Sequence, residues 1–462
     1  MFPPILSLLA ALSLILSLSG CDDQNEDDTQ EWMNIELSGY TFENHMTGEA
    51  SVNYSGQAAR HALLEQLKLT ILSLNELTQM IDLSDEGDVT SLLSIYFNCQ
   101  DDLCAGEQLR LEHLGMTKQE SFGDISTGKN LVGKLAGNDP VGQTRDWMDG
   151  VVGWSDNSLS PEMLVLSWFK NVEDQTRSLI SEAPQNNPVG QPILSPHISS
   201  QGVDYATLSY TFLLGAIAFS QASDDYLDDD LDGKGLLSDH TQLEDGENFT
   251  ALEHSWDEGF GYFGAAQNYH TLLSSTAEGE PKQTLDSDQD GLIDLVTEVN
   301  WGYANDALLR DRAQGTDFAR QIYDAFYQGR SLIARANGAL SPRSLTLLSA
   351  FRDQALTAWE ASLASTAIHH LNRALKTLNL DETSVFERHA EAWSAAKGYS
   401  LSFQFNPHSL LNETQLSQLH ALIGDHPKLA PMDLAAYEAS LTEARSLLST
   451  AYGFNEEEAT TW

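Results

Sequence analysis

The chain has 462 residues, of which 41% are hydrophobic, and its 68 acidic and 24 basic side chains give a formal net charge of −44. The length allows two or three domains or one elongated helical body, and the hydrophobic share is enough for a sizeable core. So negative a protein repels nucleic acid and anionic lipid head groups and attracts cations. Composition therefore excludes nucleic-acid binding and directs attention to cation sites.

The first residues resemble the signal peptide of a bacterial lipoprotein. An apolar run over 5–18, too short to span a bilayer comfortably, is followed by Leu18-Ser19-Gly20-Cys21, which is similar to a lipobox. The resemblance implies a signal peptide over 1–20, lipidation of Cys21 and a lipid anchor that faces the periplasm, in either membrane of the cell envelope. The acidic stretch 21–31 has nothing to bury and is predicted to be a disordered tether before a helical body at 32–462.

Apolar residues recur with a period of about 3.6 residues along most of the chain, which is typical of amphipathic helices. Helices are predicted over 56–81, 205–221, 307–337, 345–380, 385–403, 413–423 and 431–452. This pattern predicts an all-α protein built as a helical bundle, with two packed bundles as the expected arrangement. An Asp-rich excursion over about 222–300 interrupts the bundle.

Cys99 and Cys104 form an even pair once Cys21 is lipidated. In an oxidising compartment, such a pair is predicted to form a disulfide that closes a small loop.

The excursion contains DSDQDGLIDLVTE at 286–298, which has the pattern of a calcium-binding loop. Alternating carboxylates followed by Gly291 let the chain wrap around one hard cation. The predicted ligands are the side chains of Asp286, Asp288, Asp290, Asp294 and Glu298 and the backbone carbonyl of Leu292. Thr297 occupies the twelfth position, where the standard loop has an acidic residue, so Glu298 can bind only if this loop is one residue longer. We expect a structural Ca²⁺ site.

A second candidate site lies on the predicted helix ALEHSWDEGFGYF. His254 is three residues before Asp257 and four before Glu258, so the three side chains share a helix face and could bind a transition metal. Further ligands would come from other helices, with His389, His369, His370 and Glu360 as candidates by residue type. Alternatively, the aromatic residues of this helix pack into the bundle and its charged residues form ion pairs.

Five segments together resemble an uncharacterised domain-of-unknown-function family of bacterial envelope lipoproteins that is allied to the imelysins. They cover 51–67, 202–229, 252–264, 288–311 and 387–403. The resemblance implies an imelysin-like double bundle, export to the cell envelope and an association with iron uptake. Some imelysin-like proteins are classed as metallopeptidases by a Gly-x-His-x-x-Glu motif. Here the match is partial. His254 matches the histidine, Leu252 stands in place of the glycine, and Asp257 stands in place of the glutamate and keeps only its charge.

Three functions follow from these patterns. The leading hypothesis is a non-enzymatic, lipid-anchored protein that binds iron or another transition metal, or a metal-bearing ligand, and serves iron acquisition with an outer-membrane receptor or another envelope uptake component. The alternative is a scaffold lipoprotein stabilised by Ca²⁺. A metallopeptidase is a third hypothesis, although the sequence lacks the His-Glu-x-x-His pattern of zinc peptidases.

Overall fold

Helices dominate this computed structural model, which describes residues 36–99, 104, 106–141, 143, 145, 147–155, 158–273, 283–378, 383–429 and 433–462. Helix makes up 57% of the structure, and these ranges contain no β-strand. The prediction of an all-α protein is therefore confirmed. Cys21 and the predicted segments 1–20 and 21–31 lie outside the described residues.

The longer α-helices of the described chain are named α1 to α11. They are α1 (Ser55–Leu72), α2 (Asp88–Asn98), α3 (Pro161–Ile180), α4 (Tyr205–Leu213), α5 (Ala251–Phe263), α6 (Gly302–Gln314), α7 (Phe318–Arg335), α8 (Pro342–Leu375), α9 (Thr383–Ser402), α10 (Glu413–Ile423) and α11 (Leu434–Ala451). Ser38–Trp462 form one compact unit. Among the described helices, none combines the length and the apolar character needed to cross a membrane.

The longest helix, α8, lies at the centre of the packing, against α7 on one side and α9 and α11 on others. Ser341 caps its start by accepting a hydrogen bond from the Ser344 backbone, and Pro342 occupies the first turn, where no intrahelical N–H bond is lost. Trp359, in the middle of α8, is fully buried and packs against Phe219 and Phe263. The core therefore follows α8, and the other helices surround it.

Helix α4 continues into two π-helical segments, Leu214–Phe219 and Ala222–Tyr226. A β-carbon at Gly215 would overlap Ser402, so glycine at this position lets the first π-helical segment and α9 approach closely. π-Helical turns are uncommon and insert an extra residue into the helix. The two π-helical segments extend the buried helix predicted at 205–221 into the start of the Asp-rich excursion.

The pattern predicted as one helix over 307–337 is two helices in the structure. Gly315 has a positive φ of 70° and ends α6, and Asp317 precedes α7. The Asp311 carboxylate accepts hydrogen bonds from the backbone N–H groups of Phe318 and Ala319, both at 2.8 Å. An acidic side chain thus caps the following helix across the break.

The structure has a disulfide between Cys99 and Cys104, with the two Cα atoms 5.0 Å apart. Cys99 lies directly after α2 with a positive φ of 34°, so the bridge closes the end of that helix.

Candidate functional site

Helix α5 positions the histidine and carboxylates predicted as a transition-metal site. The helix starts with a capping box in which Thr250 accepts a hydrogen bond from the Glu253 backbone and the Glu253 carboxylate accepts one from the Thr250 backbone. It ends at Gly264, whose positive φ of 88° suits glycine. The capping box fixes the start of α5 and, with it, the direction in which each side chain leaves the helix.

Asp257 faces the interior and forms an ion pair with Arg330 of α7. Arg330 Nε donates to Asp257 Oδ1 at 2.9 Å, and Tyr40 Oη donates to the same oxygen at 3.0 Å. The second acid of the cluster, Glu253, accepts from Arg330 Nη1 at 3.2 Å. All three charged side chains are 0% exposed. We call Glu253, Asp257 and Arg330 the buried ion cluster.

Burial raises the pKa of Asp257 to about 6, although Arg330 and Tyr40 act in the opposite direction. Among the described residues, Asp257 Oδ2 has no hydrogen-bond partner. The guanidinium is shared between two carboxylates and also donates to the hydroxyl of Ser51 at 2.6 Å. A metal ion at Asp257 would therefore have to compete with Arg330 at short range, which disfavours cation binding there.

His254 and Glu258 of α5 lie nearer the surface than Asp257. Their side chains are 31% and 17% exposed, and His254 Nε2 lies 3.8 Å from Glu258 Oε1. The His254 ring stacks on Phe249 with the ring centres 4.4 Å apart, and Glu258 accepts a hydrogen bond from Gln57 Nε2 at 2.7 Å. Both side chains thus have local partners.

His389 belongs to a different cluster. Its ring nitrogens lie 3.1 Å from Thr377 Oγ1 and 3.1 Å from Tyr437 Oη, and burial lowers the pKa of the ring to about 4. The structure therefore does not bring His254, Asp257, Glu258 and His389 together into one coordination sphere. Within the described residues, one group of three potential metal-ligand side chains has its atoms within 4.8 Å of one another, and it contains no histidine.

That group is Asp286, Asp288 and Asp290, the alternating acids of the predicted calcium loop. All three are exposed. The loop is tightly wound, because Gln289 and Gly291 have positive φ values of 61° and 85°. These turns bring carboxylate oxygens from alternate residues to one point, as a cation-binding loop requires.

Glu298 braces this loop from inside. Its carboxylate accepts hydrogen bonds from the backbone of Ser287 at 2.7 Å and of Asp294 at 2.9 Å, and the residue is 2% exposed. Burial acts to raise the pKa of Glu298, but the hydrogen bonds from Asp294 and Ser287 outweigh it. The pKa of Glu298 is therefore below its ordinary value. Glu298 thus joins the two ends of the loop.

The remaining predicted ligands, Asp294 and Leu292, differ in their surroundings. Asp294 accepts from the Val296 backbone at 2.8 Å and from Gln119 Nε2 at 3.2 Å. Leu292 is 37% exposed, and its backbone N–H donates to Asp290 Oδ1 at 2.8 Å.

A lysine lies beside the three aspartates. Lys118 Nζ is 2.9 Å from Asp288 Oδ2 and 3.3 Å from Asp290 Oδ2. The hydrogen bond to Asp288 raises the pKa of Lys118, and the same contact lowers the pKa of Asp288. The segment that carries Lys118 is held to the loop by backbone hydrogen bonds of 2.7 and 2.9 Å on either side of Ile293.

Sequence reasoning missed Arg330, Lys118 and Gln119. Arg330 could have been found, because it lies four residues after Phe326 and three before Ile333 and so on the apolar face of its helix. An arginine on such a face needs a buried acid as partner. Lys118 and Gln119 are more than 160 residues from the loop, and no local pattern marks such a contact.

Comparison with protein families identifies the family of this chain. Neither the curated proteins nor the solved structures contain a match to this chain. A family described as "Domain of unknown function (DUF4856)" matches residues 194–454. This range is more than half of the chain and includes α5, the whole buried ion cluster and the Asp286 loop. The chain belongs to the DUF4856 family.

Proposed function

We propose that the protein is a lipid-anchored component of the bacterial cell envelope whose helical body binds one Ca²⁺ ion at the Asp286 loop and has a non-enzymatic binding or scaffold role. The anchor rests on the apolar run and lipobox-like residues that end at Cys21. The observation that carries the calcium proposal is the convergence of Asp286, Asp288 and Asp290, whose potential ligand atoms lie within 4.8 Å of one another.

The donor set favours calcium over a transition metal. The three side chains offer only carboxylate oxygens, which suit a hard cation, whereas iron and zinc sites in proteins usually include imidazole or thiolate. The formal net charge of −44 also concentrates cations at the surface. In this proposal the ion takes the place of the Lys118 ammonium group between Asp288 and Asp290.

The link to iron acquisition and the imelysin-like double bundle stay predictions from the resemblance. Asp257 is engaged by Arg330, and His389 by Thr377 and Tyr437. Those contacts support a structural role for these side chains, so we do not extend the proposal to a transition-metal site on α5.

Calorimetric titration of the calcium-free protein with Ca²⁺ tests the metal proposal. We expect one site with a Kd on the order of 10⁻⁴ to 10⁻³ M, the range of extracellular calcium modules. The double variant Asp286→Asn/Asp288→Asn should raise the Kd by at least about tenfold, because it removes two ligand charges. Glu438→Gln/Glu443→Gln, on the exposed face of α11, removes the same charge and should leave the Kd unchanged. Failure of the parent protein to bind Ca²⁺ at about 10 mM would refute the proposal.

The anchor is tested separately in cells. Labelling with a radioactive fatty acid should mark the parent protein and not the Cys21→Ser variant. Release of the unmodified parent protein into the soluble fraction would contradict the proposed anchor.

A further inference from the structure

A turn follows the buried helix that α4 and the two π-helical segments form, and it brings two acidic side chains together. The helix ends at Tyr226. Asp228 is 5% exposed, and Asp230, two residues later, is exposed. Their carboxyl groups lie within hydrogen-bond distance of each other. Ionised carboxylates offer only acceptors, so such a contact needs a shared proton or a cation between them. We call Asp228 and Asp230 the acid pair.

The backbone of the turn fixes the buried member of the acid pair. Gly235 has a positive φ of 52°. A β-carbon at Gly235 would lie 2.7 Å from Asp228 Oδ1 and 3.1 Å from the backbone oxygen of Asp225, so both oxygens face this glycine. The Leu236 backbone N–H also donates to the Asp228 backbone oxygen at 2.8 Å. Asp228 is therefore held beside the last carbonyl groups of the helix.

The acids beside the acid pair have basic partners, whereas the pair itself does not. Lys234 Nζ donates to Asp225 Oδ1 at 2.7 Å, and Arg352 Nη1 lies 3.4 Å from Asp229 Oδ1. Among the described residues, no basic side chain forms an ion pair with either member of the acid pair, and the buried Oδ2 of Asp228 has no hydrogen-bond partner. A buried carboxylate oxygen without a donor is costly. The acid pair is therefore incomplete as a purely structural feature.

The position of the acid pair favours a cation. The last carbonyl groups of a helix lack intrahelical donors, and the aligned peptide dipoles place partial negative charge at that end. Asp225 belongs to the last π-helical turn, so its backbone oxygen lies at this negative end. A divalent cation between the two carboxylates would neutralise both of them, whereas a shared proton neutralises one. The exposed Asp230 gives an ion access to the pair from solvent.

We propose that the acid pair binds one Mg²⁺ ion, with the backbone oxygen of Asp225 and water molecules completing its shell. Mg²⁺ keeps several of its waters in proteins and is usually bound by one or two carboxylates, whereas Ca²⁺ takes about six to eight oxygen ligands. Two carboxylates and one carbonyl therefore suit Mg²⁺ better than Ca²⁺. Asp232 continues the alternation of acids, but within the described residues three such side chains come together only at the Asp286 loop.

Calorimetric titration of the metal-free Asp286→Asn/Asp288→Asn variant with Mg²⁺ tests the proposal. This variant lacks two acids of the Asp286 loop, so the Mg²⁺ it binds is assigned elsewhere, and the result does not depend on whether the loop binds Ca²⁺. We expect one site with a Kd on the order of 10⁻³ M and a rise in the thermal unfolding midpoint with Mg²⁺. Absence of saturable binding up to about 20 mM would overturn the proposal and leave the acid pair with a shared proton.

A further substitution in that variant then assigns the ion to the acid pair. Asp228→Asn should raise the Kd for Mg²⁺ by at least about tenfold, because one of two charged ligands is lost. Asp232→Asn removes the same charge from the same turn and should leave the Kd unchanged. If Asp228→Asn does not fold, Asp230→Asn replaces it, since that position is exposed. An unchanged Kd in the folded variant, or an equal rise with Asp232→Asn, would overturn the proposal, because the ion would then respond only to the overall negative charge.

Discussion

The buried ion cluster and the Asp286 loop are both built from carboxylates, but they differ in burial. In the cluster, Glu253 and Asp257 are 0% exposed, and they share the single positive charge of Arg330 within the core. In the loop, Asp288 and Asp290 are 53% and 42% exposed, and their charges meet Lys118 at the surface. Solvent screens the second set and not the first. Burial therefore turns two carboxylates into a fixed structural element, whereas exposure leaves three others available for an exchangeable cation.

The largest expected effect comes from Arg330→Met, which removes the one guanidinium shared by both buried acids. We expect a loss of about 4 kcal/mol in the free energy of unfolding, because two carboxylates would be left buried without their countercharge. Urea unfolding measures it. Arg320→Met on the same helix is the control and should change stability by less than about 1 kcal/mol, since its pair with Asp317 is exposed. A loss below about 1 kcal/mol for Arg330→Met would show that the cluster is not structural.

The second prediction concerns pH. Burial raises the pKa of Asp228 to about 8, and its interaction with Asp230 raises it further. The folded state thus keeps a proton that the unfolded chain loses near the ordinary value of 3.8. The contribution of Asp228 to stability is therefore greatest at low pH within this window and falls as pH rises from about 4 to 8, by about 1 kcal/mol per pH unit after allowance for solvent screening.

Urea unfolding at pH 5, 6, 7 and 8 and constant ionic strength checks this slope. Asp228→Asn should remove the Asp228 contribution and make the change of stability with pH less negative, and Asp232→Asn, an exposed acid in the same turn, should not. An equal slope in the parent protein and Asp228→Asn would assign the pH dependence to other carboxyls such as Asp257, whose pKa burial raises to about 6.

The third prediction tests the brace of the loop. Each carboxylate oxygen of Glu298 accepts a hydrogen bond from a backbone N–H, one from Ser287 and one from Asp294. Glu298→Gln replaces one of these oxygens with an amide NH₂, which cannot accept. Two facing donors repel, so we expect a loss of about 2 kcal/mol in the free energy of unfolding. Glu438→Gln on the exposed face of α11 should change it by less than about 0.5 kcal/mol. If Glu298→Gln is as stable as the parent protein, Glu298 is not the element that holds the loop closed.

Much of the helical fold could be read from periodicity, because burial along one face leaves a local pattern. The prediction for 413–423 matches α10, and that for 345–380 lies within a few residues of α8. The sequence reading missed α2 and α3, although α3 has Ser160 and Pro161 at its start, a recognisable N-terminal signal. It joined α6 to α7 because both carry the same periodicity on either side of Gly315.

The sites were less predictable, since their contacts join distant parts of the chain. The spacing of His254, Asp257 and Glu258 correctly places all three on one helix. It does not show that Asp257 turns toward Arg330 while His254 turns toward Phe249. The Asp286 loop was easier to find, because its three acids and Gly291 lie close together in sequence and the turn itself brings the acids to one point.

The smallest effect, and the one most specific to the loop, is expected for Lys118→Met. In the structure Lys118 is the cation between Asp288 and Asp290. Its removal eliminates a competitor for Ca²⁺ and leaves the two acids to repel each other, so the Kd for Ca²⁺ should fall several-fold. Calorimetric titration measures it, with Lys170→Met as the control, because that lysine pairs with exposed Asp174 on α3. A weaker affinity in Lys118→Met would mean that the lysine organises the loop for the ion and does not compete with it. The exposed acids would then resemble the buried ones in depending on a neighbouring cation for their geometry.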